Sequence, residues 1–146
     1  MKRILILALL VPSLYGQEAD TLGQQMVGIL SATFLYQSYL NIGFLADLHA
    51  GGQYDEETAL GHGETLVAVI AGARDELQAY RRYQVSEVDQ QYIAELIKVV
   101  DVLLQECIAL NEYMETGDPR AADRFNEMNE LAQQAISQLL GLEDLE

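Results

Sequence analysis

Cysteine is almost absent from this chain: Cys107 is the only one among 146 residues, and tryptophan does not occur. With one cysteine, no disulfide can form within the chain. The cysteine motifs of zinc sites, c-type haem attachment and thioredoxins, which need two or more cysteines, are also excluded. Cys107 lies at a core position of an apolar helical pattern, which predicts a small buried side chain rather than a reactive thiol. Packing of the core therefore has to stabilise the fold.

Positive charge is also scarce. The chain has 8 Lys and Arg against 23 Asp and Glu, a formal net charge of −15, and no cation lies between Arg3 and Arg74. Such a surface repels phosphate backbones and anionic lipid head groups, so we expect no binding of nucleic acid. It suits a binder of cations or of a basic partner, although acidity can also serve solubility alone.

The first sixteen residues have the pattern of a secretory signal peptide. Lys2 and Arg3 precede an apolar run over residues 4–11, which Pro12 breaks before the polar residues that follow Gly16. A run of this length is far shorter than the roughly 20 residues that span a bilayer, so we expect no membrane span here. We predict cleavage after Gly16 instead. The mature chain would be exported, to the periplasm or the medium, and would have no stable membrane span.

Helical periodicity extends over four long segments after the signal peptide, approximately 22–50, 56–83, 87–115 and 119–140. Capping residues are expected at their N-terminal ends, namely Thr21, Asp55, Ser86 and Asp118. Glycines are expected to end three of them, at Gly51, Gly117 and Gly141. Connections of a few residues favour antiparallel neighbours. The predicted fold is all-α: one antiparallel up-down-up-down four-helix bundle over residues 17–146.

Three helices carry patterns that predict which side faces inward. The third has an alternating three-and-four spacing, with Ile93, Leu96, Val100, Leu103, Cys107, Leu110 and Met114 as its core positions. The first is apolar over most of its length and is expected to be heavily buried, with a stripe that includes Ile29, Leu30, Phe34, Leu40, Phe44 and Leu48. The second helix is expected to face inward with Leu60, Leu66, Ile70, Ala73, Leu77 and Tyr80. Small residues on the same helix favour close helix packing, with a pocket or a dimer seam as the alternative, namely Gly61, Thr65, Ala68 and Gly72.

The turn between the first two helices is a candidate cation site. The di-iron carboxylate pattern, Glu followed three residues later by His, is absent, because Ala46 and Ala59 precede the two histidines. His49 is nevertheless expected to face Glu56 and Glu57 across the turn. Oxygen-rich groups of this kind bind calcium, or zinc together with a histidine. Helix capping and solubility explain the same acids without a metal.

The second turn carries the alternative candidate, a surface for a partner. Tyrosines surround the only adjacent arginine pair at this end of the predicted bundle, a group formed by Tyr80, Arg81, Arg82, Tyr83 and Tyr92. Tyrosines at bundle ends commonly bury the ring and leave the hydroxyl in water, which suits a protein partner or an anionic ligand.

No catalytic motif of a known kind occurs in the chain: it lacks a Gly-x-Ser-x-Gly elbow, a phosphate-binding loop and a His-Glu-x-x-His helix. We therefore expect no enzymatic activity and no cofactor. The sequence favours an exported, acidic binding or protein-interaction module with a protein or small-molecule partner. The alternative is a divalent-cation-binding bundle that uses the acidic turn. The oligomeric state is left open.

Overall fold

The computed structural model describes residues 19–82 and 86–142, with side chains from residue 28 onward. These ranges form four α-helices and contain no strand: α1 (Ala19–Ala50), α2 (Glu56–Tyr80), α3 (Glu87–Thr116) and α4 (Pro119–Leu140). The prediction of an all-helical fold with four helices is confirmed. Its packed core belongs to the compact unit Ser31–Glu146. The signal peptide predicted for residues 1–16 lies outside the described residues, as does Tyr83.

Three of the four predicted N-terminal caps are confirmed. The side chain of Asp55 accepts a 2.9 Å hydrogen bond from the backbone of Thr58, and Ser86 accepts one of 3.1 Å from Asp89. Asp118 caps α4 in the same way, directly before Pro119 at the first helical position. The fourth prediction is wrong, because α1 already begins at Ala19 and Thr21 lies inside it.

Glycines end three helices in the left-handed conformation that side chains rarely adopt. Gly117 and Gly141 do so at φ of 64° and 63°, as predicted. After α1 the left-handed residue is Gly52, at φ of 67°, while Gly51 donates its backbone N–H to Asp47. These local signals explain why the helices end where they do.

Helix α3 is the centre of the core because it packs closely against both α2 and α4. All seven positions of its predicted core face are buried, so that prediction is confirmed. Burial extends further around this helix, to Val99, Leu104, Glu106 and Ala109. The two neighbouring helices, α2 and α4, cover a wider part of the α3 surface than a single coiled-coil partner would.

Helix α1 faces the core with a different side from the one predicted. Its buried residues in the unit Ser31–Glu146 are Leu35, Ser38, Ile42 and Leu45. Of the predicted stripe, Phe44 is 58% exposed, and Ile29 and Leu30 are also exposed. The prediction that α1 is heavily buried is therefore wrong. A helix that is apolar all round carries little periodic signal, so neighbouring helices decide which side is covered.

The contact between α2 and α3 uses Gly63 rather than the predicted row of small residues, all four of which are exposed. Gly63 is buried, and a Cβ at this position would overlap with Oδ1 of Asn111 and lie 2.8 Å from its Cγ. The thiol of Cys107 donates a 3.6 Å hydrogen bond to the carbonyl of Gly63. The absence of a side chain at residue 63 thus lets the two helices approach.

Candidate interaction surface and buried polar cluster

The outward side of α1 carries large apolar side chains that the bundle does not cover. Tyr36 and Phe44 are 48% and 58% exposed, and Leu40 between them is half-buried. Residues four apart lie on the same side of a helix. Tyr36, Leu40 and Phe44 therefore lie along one side of α1, and we call these three residues the α1 patch.

This patch lies in the longest uncharged stretch of the chain. No Asp, Glu, Lys, Arg or His occurs from residue 21 to residue 46. Residues 47–146, in contrast, contain 21 of the 23 acids and six of the eight cations. The α1 patch is thus an apolar and uncharged surface on a strongly acidic protein, which makes it a candidate interaction site.

A groove of about 340 Å³ runs beside the patch, between α1 and α4. Its walls are formed by Tyr39, Leu40, Gly43, Phe44, Ala46, Asp47, Phe125 and Asn129. A Cβ at Gly43 would meet nothing within 4 Å, so the groove is open at this residue. Asp47 is the single charged residue of the lining. The groove and the patch share Leu40 and Phe44.

Beneath the groove, hydrogen bonds join side chains of three helices. The hydroxyl of Tyr39 donates to Oδ1 of Asn129 at 3.5 Å, and Nδ2 of Asn129 donates to Oε1 of Glu106 at 2.7 Å. Glu106 is fully buried, and its Oε2 has no hydrogen-bond partner among the described residues. This polar cluster therefore connects α1, α4 and α3 inside a mostly apolar core.

Burial changes the acid–base properties of the cluster. It raises the pKa of the Glu106 carboxyl from its ordinary 4.5 to about 7, although the hydrogen bond from Asn129 acts in the opposite direction. Burial also raises the pKa of Tyr39, and the nearby Glu106 adds to that increase. Glu106 is therefore poised to change charge near neutral pH inside the core.

Sequence reasoning did not identify Glu106, although a signal for it exists. Glu106 follows Leu103 by three residues and precedes Leu110 by four, so it lies on the apolar side of α3. An acid at such a position needs a buried partner. That partner, Asn129, lies on α4 at a position without a distinctive pattern.

Cys107 is a buried core residue, as predicted. Burial, with a smaller contribution from Glu106, raises the pKa of its thiol to about 12. Since the thiolate is the reactive species, this thiol is unsuited to nucleophilic chemistry.

The structure places the predicted cation-site residues around the first turn without joining them into a site. His49 is half-buried, and its Nδ1 is buried with no partner among the described residues, whereas Glu56 and Glu57 are exposed in the first turn of α2. His62 is exposed and stacks on Tyr54 at 5.2 Å between ring centroids. Within residues 19–82 and 86–142, no group of three or more His, Cys, Asp or Glu could hold a metal ion. Cation binding stays a prediction.

The predicted partner surface at the other turn is mostly polar where the structure describes it. Tyr80 is 50% exposed, and Arg81 and Arg82 are exposed beside a depression of about 400 Å³ that Gln78 and Ile97 complete. Tyr92 is half-buried, and its burial raises the pKa of its hydroxyl. Partner binding there stays a prediction, whereas the α1 patch is the more apolar surface.

Comparisons with protein-family models, curated proteins and solved structures give no match. Within the described ranges, no helix combines the length and apolar character that a membrane crossing requires.

Proposed function

We propose that this chain is an exported, acidic, non-enzymatic helical-bundle protein that acts as a binding or protein-interaction module. The observation that carries the proposal is the α1 patch, an exposed apolar surface within a 26-residue stretch that has no charge. Exposure of large apolar side chains to water is unfavourable by about 25 cal/mol per Å². A partner that covers the patch removes this cost.

The bundle itself serves as a rigid support for the patch. Leu35 and Ile42 anchor α1 in the core on the opposite side from Phe44, and the bond from Tyr39 to Asn129 ties α1 to α4. Short connections favour the up-down-up-down antiparallel topology as part of this proposal. Cleavage of residues 1–16 and export of the remaining chain from the cytoplasm are also part of this proposal.

A non-enzymatic role is favoured by what the buried groups can do. Two side chains with groups that act as acids or nucleophiles in enzymes, Glu106 and Cys107, are fully buried. A thiol with a pKa near 12 is not activated, and Glu106 is bonded to Asn129 rather than aimed at a reacting group. Binding through an apolar surface needs neither residue.

Site-specific photo-crosslinking in the native host tests this function. A photoreactive phenylalanine analogue replaces Phe44 in the α1 patch or, as a matched control, Leu131, a 41% exposed apolar residue of α4. We expect discrete protein adducts from position 44 and none from position 131. Equal labelling at both positions, or no adduct at 44, would overturn the proposal.

A further inference from the structure

We infer that the partner of the α1 patch is a second copy of this chain, so that the patch is a weak self-association surface. This inference rests on the interaction function proposed above and adds the identity of the partner. Two observations lead to it: the charge distribution, and the shape of the patch with its groove. The area of the patch then limits the strength of the contact.

The charge distribution favours α1 as the place where two copies meet. Each copy carries a formal net charge of −15, so most of its surface repels another copy. Residues 21–46 contribute no charge to this repulsion. Contact through the α1 patch brings together surfaces that carry no charge except Asp47 in the groove, and the acids of α2, α3 and α4 can remain in water. A basic partner, in contrast, would be attracted to those acids and not to α1.

The shape of the patch suits a contact between identical surfaces. Phe44 is 58% exposed and forms part of the wall of a groove that is open at Gly43, so an exposed ring and a recess lie next to each other. In a two-fold symmetric contact each surface meets its own copy. Phe44 of each copy can then pack over the groove of the other. Aromatic side chains are enriched in the centres of such contacts.

The area of the patch limits the strength of the contact. Two half-exposed aromatic rings, Leu40 and the rim of the groove offer about 300–400 Å² per copy, since one fully buried aromatic side chain contributes about 150–250 Å². Stable interfaces bury about 800 Å² per partner. The contact is therefore expected to be weak and transient.

Sedimentation velocity of the mature protein, from micromolar to millimolar concentration in low and moderate sodium chloride, tests the inference. We expect a concentration-dependent shift from monomer to dimer. We also expect tighter association in the higher salt, because screening reduces the repulsion between acidic copies. A basic partner would show the opposite salt dependence. A protein that stays monomeric up to millimolar concentration in both salts would overturn the inference.

Two variants locate the contact. The double substitution Tyr36→Ser, Phe44→Ser should weaken association at least about tenfold, a change of about 1.4 kcal/mol. The control Leu131→Ser removes an exposed apolar side chain from α4 and should leave association unchanged. Circular dichroism melts of both variants report whether each remains folded. Equal weakening by the control and the double variant would contradict the assignment.

A cross-linking experiment reads proximity directly and does not depend on loss of binding. Cys107 is buried, so an introduced surface cysteine is the only thiol accessible to reagents among the described residues. Gln37→Cys places a thiol at an exposed position beside the α1 patch, and Gln134→Cys places one at an exposed control position on α4. A short bismaleimide should join copies of the first variant and not of the second. Equal cross-linking of both variants would argue against self-association through the α1 patch.

The outcomes also separate this inference from the proposed function. A heterologous adduct at position 44 in the native host, with a monomeric purified protein, would support the function and overturn self-association. A dimer through α1, with adducts at position 44 only to a second copy of this chain, would support both. Absence of adducts and of dimers would overturn both.

Discussion

The side-chain amide of Asn129 donates a 2.7 Å hydrogen bond to the carboxyl group of Glu106, and thereby joins α4 to α3 inside the core. Glu106 has no exposed surface, and its second oxygen lacks a partner among the described residues. A buried carboxyl group is tolerated most readily in its neutral form, because ionisation in a poorly polarisable interior is unfavourable. The charge state of Glu106 is thus coupled to the stability of the bundle.

The free energy of unfolding should fall as the pH rises through 7. The pKa of Glu106 is about 7 in the folded protein and near its ordinary 4.5 in the unfolded chain, so the folded state binds more protons between these values. The contribution of Glu106 is fully present below about pH 4.5 and is lost as the pH rises through 7, a change of about 3 kcal/mol. Urea melts between pH 5 and pH 8 measure it.

The variant Glu106→Gln isolates this effect, because a glutamine keeps the acceptor for Asn129 but does not ionise. We expect its free energy of unfolding to vary less with pH. The stability of the variant relative to the natural protein should therefore be higher at pH 8 than at pH 5. Glu127→Gln, at an exposed position of α4, is the control and should keep the natural pH dependence. Identical pH slopes for Glu106→Gln and the natural protein would contradict the assignment.

Leu103→Ala should destabilise the bundle by about 2–5 kcal/mol, because it removes a large side chain from a packed core. Leu103 has no exposed surface and lies in the middle of α3. Denaturant melts at constant pH measure the loss. Ile108→Ala, at a 41% exposed position of the same helix, is the control and should change stability by less than about 1 kcal/mol. A loss below about 0.5 kcal/mol for Leu103→Ala would mean that α3 faces another way.

Two glycines on one helix should respond in opposite directions to alanine. Gly61→Ala meets nothing within 4 Å and should stabilise α2 by about 0.5–1 kcal/mol, since alanine is the better helix former. Gly63→Ala places a methyl group against Asn111 and should destabilise by about 1–3 kcal/mol. Thermal melts of both variants, and of Gly63→Ala combined with Asn111→Ala, measure this. If removal of the Asn111 side chain does not reduce the loss, the overlap is not its cause.

Sodium chloride should raise the melting temperature, because screening weakens repulsion among the excess acids. If His49, Glu56 and Glu57 bind a divalent cation, millimolar calcium should raise it further than sodium chloride of equal ionic strength. At a concentration of 100 times the dissociation constant, the added stabilisation is about 2.7 kcal/mol. Calorimetric titration with calcium and zinc measures the binding itself. Equal shifts in both salts and no saturable heat would eliminate the cation site.

Export should leave Gln17 at the mature N-terminus, because Gly16 is the small residue that follows the break at Pro12. Mass spectrometry and N-terminal sequencing of protein from its native host measure this terminus. Recovery of chains that begin at Met1 in the membrane fraction would show an uncleaved segment instead.

Local sequence signals predicted much of the fold. Asp55, Ser86 and Asp118 cap helices through hydrogen bonds to residues two or three positions ahead, so no distant partner is needed to place them. The inward side of α3 also followed from its spacing, because apolar and polar residues alternate clearly there. These features depend on chain geometry within a few residues.

By itself, then, the sequence determined the four-helix class, the capping residues of α2, α3 and α4, and the core side of α3. It did not determine which side of α1 is exposed, because an apolar helix without charges fits a core on any side. Only the packed neighbours decided that Leu35 and Ile42 lie inside and that Tyr36 and Phe44 lie outside. The meeting of Glu106 with Asn129 and the groove beside Gly43 also required the tertiary structure. They join side chains that are far apart in the chain, and helical periodicity holds no information about such pairs.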